Sequence, residues 1–481
     1  MSKLTSRIVS QPLDRAALTL LLALIAIISG LILGGGHSAP RVSHFNWEDK
    51  TISAADIAFT LSFSRPMDQT SVEEHLKIAP DLPGKISWAG RRMAYTLALP
   101  IEYGKRFKLD VEGAKERSSA HRILQPFSSE FSSRDRAFAY IGADSDQAGR
   151  LVLVNMTLDD RQVLTPPNFQ VIDFRPYPDR EKILFAATER SSKPQGIAEQ
   201  KLYTVTTGFG SQPRGQVELV LDNQDYQNLK FDLSQDGEVI VVQRVNRRNT
   251  NEFGPWILRA NGSLEPLKTE QPGGDFLITP DSSALAIAQG QGMAILPLQT
   301  SATPLSFLPK FGMVLGFSRD GSTAAMLKFN TDFTRSLFLV TNQGIQKEVL
   351  KTTGSIRSAV FDPSQSILFC LLTKLLPGET YQEQPFLAAI DLKTALKDPS
   401  QAFYPLLQLP QQREIQVSLA PDGRAILFDQ TSQDPNNANT DQTSLANSRL
   451  WILPTENLLA GDWTPSPPID VLPGLHPRWL P

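Results

Sequence analysis

The 481-residue chain carries 47 Lys+Arg against 50 Asp+Glu, with 41% hydrophobic and 20% charged residues. It is too long for one ordinary domain and apolar enough to build packed cores, which excludes global disorder. A formal charge of −3 leaves no concentrated basic surface, so nucleic acid is not expected as a partner.

Residues 1–15 precede a stretch from Ala16 to Pro40 that contains no charged side chain. Its core, "AALTLLLALIAIISGLILGGG" over 16–36, supplies the roughly 20 apolar positions of one bilayer-crossing helix. Lys3, Arg7 and Arg15 precede it, and the next basic residues are Arg41 and Lys50. This bias places the N-terminal tail in the cytoplasm and the bulk of the chain outside, in the periplasm or its equivalent. The stretch exceeds the usual signal-peptide core of about 7–15 residues, and Pro40 directly follows Ala39, so a retained single-pass anchor is expected over a cleaved signal. Membrane lipid is then the first expected partner.

From 41 to 133 the hydrophobic period changes to two. "ADIAFTLSFS" aligns Ile57, Phe59, Leu61 and Phe63 on one face of a strand, and "GKISWAG", "MAYTLALP" and "KRFKLDVEG" supply further short strands. That spacing predicts an antiparallel sandwich, with Trp88 and Tyr103 packed inside. The segment "FSRPMDQTSVEEHLKIAPDLPGKISW", with "YGKRFKLDVEG" and "PFSSEFSS" after it, resembles the bacterial Ig-like domain of the SbsA type. The resemblance implies a spacer or adhesion module without catalysis.

Residues 134–481 repeat a unit of alternating strand, Pro/Asp/Gly/Ser turn and strongly apolar strand. It reads "VIDFRPYPDREKILFAA", "LKFDLSQDGEVIVVQ", "DFLITPDSSALAIAQ", "VLGFSRDGSTAAMLKF", "AVFDPSQSILFCLLT" and "VSLAPDGRAILFDQ". Its turns at Asp179, Asp236, Asp281, Asp320, Ser364 and Asp422 are spaced as propeller blades of about 40–50 residues would be. Strands such as 239–242 and 426–428 lose their alternation and are expected to be buried on both faces. The segment 136–165 has later strands without a first one, whereas "LHPRWLP" near Pro481 is a first strand without successors. Joined, they complete a seventh blade and close the ring, leaving no open edges. The pattern, with its final "PRW-P", is similar to the TolB-type β-propeller repeat, which implies protein partners and a cell-wall-associated assembly.

Candidate chemistry is sparse. Cys370 is the one cysteine, read as a buried small hydrophobe within "SILFCLL", and only His476 among five histidines lies beyond residue 121. Thiolate metal sites and most His-based acid–base machinery are thereby excluded from the propeller. Asp144, Asp146 and Gly149 have part of the spacing of a calcium loop without its third oxygen ligand or distal Glu, and read as a polar hairpin tip. Arg244, Arg247 and Arg248 read as a solvated hairpin tip, and 432–448 as a polar loop on the last blade. No P-loop, G-x-S-x-G or dinucleotide fingerprint occurs in its required context, and no catalytic, cofactor-binding or metal residue is assigned.

The expectation is an all-β protein: a transmembrane helix at 16–36, an Ig-like sandwich at 41–133 and a seven-bladed propeller at 134–481. Its expected role is membrane-anchored binding or scaffolding at the cell envelope, with a protein or cell-wall partner on a propeller face. A carboxylate-dependent hydrolase or small-ligand receptor working at the central channel is the alternative.

Overall fold

The computed structural model describes residues 12–35, 39–144, 146–190, 197–269, 273–290, 292–299, 306–378, 381–410, 412, 414–431 and 448–481. Antiparallel sheets dominate it. Contacts divide the chain into two units. The first holds the described part of 1–50 with Ala58–Ala98 and Arg106–Phe131; the second holds Thr51–Ile57, Leu99–Lys105 and Ser132–Pro481.

A helix runs over Pro12–Gly35, and its described side chains, Ala16 to Gly30, are all exposed. Among the described residues no helix is long and apolar enough to cross a membrane. The helix expected in this region therefore forms, while its crossing of a bilayer is not a finding of the structure.

In the first unit, one sheet orders Val42–Phe45, Ala58–Phe63, Arg92–Leu97 and Gly84–Ala89. The second includes Phe127–Ser133, Arg106–Val111 and Leu76–Ala79. Phe59, Leu61 and Phe63 are buried as the period of two requires. Ile57 is not: it is 58% exposed, because the strand begins at Ala58, after a turn closed by Asp56 N donating to Ser53 O (3.0 Å). Trp88 also departs from its expected place, being half-buried, stacked on Phe63 at 5.8 Å and donating through Nε1 to Glu73 (2.9 Å). Asp68 N-caps a short helix, Gln69–His75, through the Ser71 amide.

Among the described residues the second unit has five four-stranded antiparallel sheets in sequence order and one seven-stranded sheet. This is the strand order of a β-propeller. The seven-stranded sheet resolves into two blades sharing the long strand Ile469–Trp479. Its N-terminal half pairs with Ser448–Pro454 and completes the blade of Val417–Leu419 and Ala425–Thr431 (blade 7). Its C-terminal half pairs with Ala137–Gly142, Phe138 opposite Trp479 and Gly142 opposite Gly474. Leu151–Asn155 and Asp160–Val163 extend that blade (blade 1). Blades 2 to 6 start at Phe169–Pro176, Tyr226–Leu233, Phe276–Ile278, Met313–Phe317 and Ile356–Phe361.

In blades 2 to 7 one turn joins the first strand to the second. Gly237 N donates to Ser234 O (3.0 Å), Gly321 N to Ser318 O (2.9 Å) and Gly423 N to Ala420 O (2.8 Å). These glycines have φ of 77°, 70° and 74°, the left-handed region where a Cβ is costly. Arg180, Ser282 and Gln365 occupy the same position in blades 2, 4 and 6. The preceding Asp caps the turn, as when Asp236 Oδ1 accepts from Glu238 N (3.0 Å). Blade 6 has Ser364 there, and Asp362 replaces the cap by accepting from Ser364 N (2.9 Å) and Ser366 N (2.7 Å). That accounts for the loss of Asp-Gly in this repeat.

Blade 1 keeps the turn's ladder bond although its two strands lie at distant points of the sequence. Leu480 N donates to Ala137 O (2.9 Å), the counterpart of Ser234 N to Val239 O (2.9 Å) and Ala420 N to Ala425 O (2.8 Å). Trp479 packs with Phe138, Leu427 and Leu450, in the core shared with blade 7. Leu480 packs with Ile141, Phe174 and Phe185, in the core shared with blade 2. Alternation of one strand thus supplies an anchor to each neighbouring blade.

Candidate functional site

The first strands of blades 1 to 3 carry linked charges, and blade 4 joins them through a backbone amide. Arg478 Nη2 of blade 1 lies 3.4 Å from Asp173 Oδ1 of blade 2, and Arg175 Nη1 lies 2.8 Å from Asp173 Oδ2. Arg175 Nε reaches Asp232 Oδ1 of blade 3 at 3.5 Å, and Asp232 Oδ2 accepts from Ile278 N of blade 4 (3.0 Å). Burial opposes the charge on Asp173, but the Arg175 and Arg478 guanidiniums outweigh it and hold the carboxyl well below its ordinary range. Both carboxylates are paired with arginine. A poised acid–base pair needs carboxyls whose environments push them apart, and this chain ties them to cations instead.

Burial pushes the Asp429 carboxyl upward, and its oxygens accept from Gln416 N (2.7 Å) and His476 N (2.8 Å). It joins the second strand of blade 7 to the strand entering blade 1, a structural position.

At the end of the second unit where the Asp-Gly turns lie, Asp422 Oδ2 accepts from Arg136 Nη2 (2.7 Å) and from Tyr103 N (3.2 Å). The buried Tyr103 hydroxyl accepts from Ala54 N (3.0 Å), and Arg319 donates to Ala54 O. Arg180 lies 4.2 Å from the Phe209 ring, and burial lowers its pKa to about 10. Among the described residues, Nε and Nη2 of the buried Arg180 have no hydrogen-bond partner.

The opposite end, by the alternation of antiparallel strands, carries the loops between second and third strands. There a cleft of about 550 Å³ opens between blades 5 and 6. One wall is Phe329 and Phe333, from the hairpin joining Thr323–Phe329 to Arg335–Thr341; the other is Leu375 and Tyr381, from blade 6. Asp332, Arg335 and Thr353 also line the cleft. Tyr381 is 69% exposed and Phe333 91%.

Phe333 has φ of 65°. Asn330 N donates to Thr334 O (2.9 Å) and Phe333 N to Asn330 O (3.2 Å). The same two bonds close Thr341–Ile345 and Arg259–Ser263, where Gly344 and Gly262 take the left-handed position. An L-residue there costs about 1–2 kcal/mol. This chain accepts that cost at a site where the aromatic ring gains almost no burial.

The carboxylates at the rim are paired, whereas Arg335 has backbone carbonyls as partners. Lys351 Nζ lies 2.9 Å from Asp332 Oδ2, and the Thr334 hydroxyl and this lysine hold Asp332 below its ordinary range. Arg335 Nη1 donates to Thr353 O and Gly354 O (both 3.2 Å). Glu383 accepts from Tyr381 and from Ser355 Oγ (2.8 Å), with Arg357 at 3.6 Å.

The sequence-level candidates fare differently. Cys370 is buried, which pushes its thiol up to about 12. Asp144, Asp146 and Gly149 lie in the hairpin after Ala137–Gly142, where Arg150 donates to Asp146 O (3.4 Å). Among the described residues no group of three or more His, Cys, Asp and Glu is placed to hold a metal. Arg244 is not at a solvated tip. It is 4% exposed, donates to Asn228 Oδ1 (3.0 Å) and lies 4.7 Å from the Tyr226 ring, because Val239–Asn246 continues through it in the ladder. Arg247 pairs with Glu199 (2.9 Å), and only Arg248 of the three is well exposed. The expected loop at 432–448 falls, except for Ser448, outside the described residues. The aromatic cleft was missed; its signal was "NTDFT", an Asp-Phe where a hairpin calls for Asp-Gly.

No family model and no curated protein matches the chain. Among solved structures, an oligogalacturonate lyase from Vibrio parahaemolyticus aligns at 11% identity, covering 58% of this chain and 80% of its own, with a TM-score of 0.45. A 6-phosphogluconolactonase described as putative, from Bacteroides uniformis, aligns at 11% identity over 72% of this chain and 99% of its own (TM-score 0.45). TolB from Acinetobacter baumannii aligns at 10% identity over 85% and 83% (TM-score 0.41). With TM-scores below 0.5, these similarities carry no argument about what the chain does.

Proposed function

We propose that this chain is a membrane-anchored binding or scaffolding protein of the cell envelope, with a propeller that docks a protein partner. The observation that carries the binding role is Phe333, a fully presented aromatic ring in a turn position that the same chain elsewhere gives to glycine. Exposed aromatics grouped at a concave surface are the composition of recognition sites. The hydrolase alternative is disfavoured because Asp173 and Asp232 are both bound to arginine.

The anchor reading rests on the uncharged stretch from Ala16 to Pro40 and on exposed apolar residues on more than one side of the helix, Leu18, Leu22 and Ile25 on one and Leu20, Leu24 and Ile27 on another. In this reading 41–133 is an SbsA-type spacer and 134–481 a TolB-type propeller outside the cytoplasm.

Two measurements test the proposal. Protease added to spheroplasts should digest the propeller, and carbonate washing should leave the chain in the membrane pellet; protection from protease overturns the orientation. Incubation with ester, lactone and glycoside substrates should give no turnover. Turnover abolished by Asp173→Asn or Asp232→Asn would establish the enzyme instead.

A further inference from the structure

We propose that the cleft between blades 5 and 6 receives an acidic segment of a partner protein, an Asp or Glu carboxylate binding Arg335 while apolar side chains beside it cover the exposed rings. The inference rests on the protein-docking role of the propeller and specifies the chemistry of what is docked.

The charge follows from the pairs around the cleft. Asp332 is matched by Lys351 at 2.9 Å and Glu383 by Arg357 at 3.6 Å, so each pair is neutral. Arg335 stands outside both. Its Nη1 donates to the carbonyl oxygens of Thr353 and Gly354 (both 3.2 Å), and its side chain also bonds that of Tyr381. These partners are neutral, and among the described residues Arg335 is paired with no carboxylate. Arg335, Lys351 and Arg357 against Asp332 and Glu383 leave one positive charge at the cleft, which a single carboxylate neutralises.

Arg335 is also held in place for that contact. The Thr353 and Gly354 carbonyls tie it to the segment entering blade 6, and the bond to Tyr381 reaches the far wall. Its planar fork suits a carboxylate, and a charge-assisted bond of this kind is about twice as strong as a neutral one.

The walls require apolar groups beside the acid, and more than a small molecule. Phe329 and Phe333 line the cleft from one hairpin, Leu375 and Tyr381 from the next blade. Phe333 is 91% exposed, so a ligand confined to the space of about 550 Å³ would leave most of its ring in water. Covering it takes a chain that continues past the mouth, as a protein segment does. A lipid surface fits less well. Membrane-adsorbing faces gather several Lys and Arg, each worth about 1 kcal/mol, whereas here one uncompensated charge sits among two carboxylates.

The test uses the full-length chain in phosphatidylcholine nanodiscs, probed with an array of random 12-residue peptides blocked at both ends. Bound peptides should be enriched in Asp or Glu next to aliphatic or aromatic residues, and replacing that acid by its amide should weaken them about tenfold. Raising the salt from 0.05 to 0.5 M should weaken the acidic peptides and spare the amide forms (an order-of-magnitude range set by screening, ~14 to ~4 Å). Arg335→Gln should erase the preference for acid over amide, and Arg335→Lys should keep most of it. Phe333→Gly suits the local φ and should weaken both forms about tenfold. Thermal unfolding checks that each variant is folded, and the salt series reads the same charge on the wild-type chain. No enriched peptide, enrichment of neutral or basic ones, equal binding of acid and amide, or a preference that survives Arg335→Gln would overturn the inference. Binding to phosphatidylglycerol vesicles that Phe333→Gly abolishes would also overturn it, assigning the rings to lipid. If a protein partner captured by the wild-type chain is retained by both Phe333→Gly and Arg335→Gln, the docking role stands and this cleft is not its seat.

Discussion

The first strands of blades 1 to 3 and the cleft of blades 5 and 6 use side chains in opposite ways. In the first region half-buried charged groups are satisfied by one another: Arg478, Asp173, Arg175 and Asp232 run across neighbouring blades in continuous contact. In the second, apolar side chains are left largely exposed, with Phe333 held in a backbone conformation that disfavours it. A satisfied charge explains itself as ring cohesion. An exposed ring in a strained turn contributes nothing to the fold, and its explanation lies outside the chain. Unusual residues thus separate into structural and functional by whether their partners are present.

The ring region is where damage should be largest. Removing Pro473–Pro481 deletes half a strand, the buried Trp479 and Leu480, and the pairing with Ala137–Gly142. At about 1.5–3 kcal/mol for each buried large side chain, against a domain stability of about 5–15 kcal/mol, most of the margin goes. The expected outcome is loss of cooperative thermal unfolding and aggregation through the opened edges. Trp479→Ala alone should cost about 3–5 kcal/mol. Melting temperatures equal to wild type would mean that this strand does not hold the ring.

Next in size is the ionic chain. Asp173→Asn leaves two guanidiniums short of a counter-charge and should destabilise by about 1–3 kcal/mol, less than a fully buried pair because the site is partly solvated. The folded pKa of Asp173 lies below its unfolded value of about 3.9. Its contribution is therefore complete above about pH 4 and disappears as pH falls through the folded value. Denaturant titrations should show a constant gap between wild type and Asp173→Asn from pH 5 to 7 that narrows below pH 4. A gap independent of pH would remove the ion pairs from the explanation.

At the cleft the sign reverses. Phe333→Gly should raise stability by about 0.5–1 kcal/mol, the relief of left-handed strain less the entropy that glycine adds to the unfolded chain. The converse, Gly344→Phe in the matching turn, should lower it by about 1–2 kcal/mol. A destabilised Phe333→Gly would show that the ring supports the fold after all, and the contrast between the two regions would fail.

The smallest effect concerns packing beneath the cleft. Cys370 belongs to the strand that ends at Leu375, and burial pushes its thiol up to about 12. Iodoacetamide at pH 8 should leave it unmodified by mass spectrometry until denaturant is added. Rapid labelling of the native chain would mean that this blade opens locally and that the cleft has no rigid floor.

Periodicity and turn chemistry determined most of the architecture, since both are local. Burial alternates with residue number, as at Phe59, Leu61 and Phe63, and a left-handed turn needs Gly or a capped substitute, as at Gly237 and Gly423. The orphan strand near Pro481 was readable for the same reason: its pattern lacked the segment that 136–165 supplies. What tertiary structure alone decided were matters of partnership. Arg244 looked solvated until the ladder extended through it, and Ile57 looked buried until its strand began one residue later. Asp362 took over a cap that its sequence neighbours appeared to have lost. The cleft joins Phe333 to Tyr381 across two blades, and local periodicity carries no information about which hairpins become neighbours or whether a neighbour covers an exposed ring.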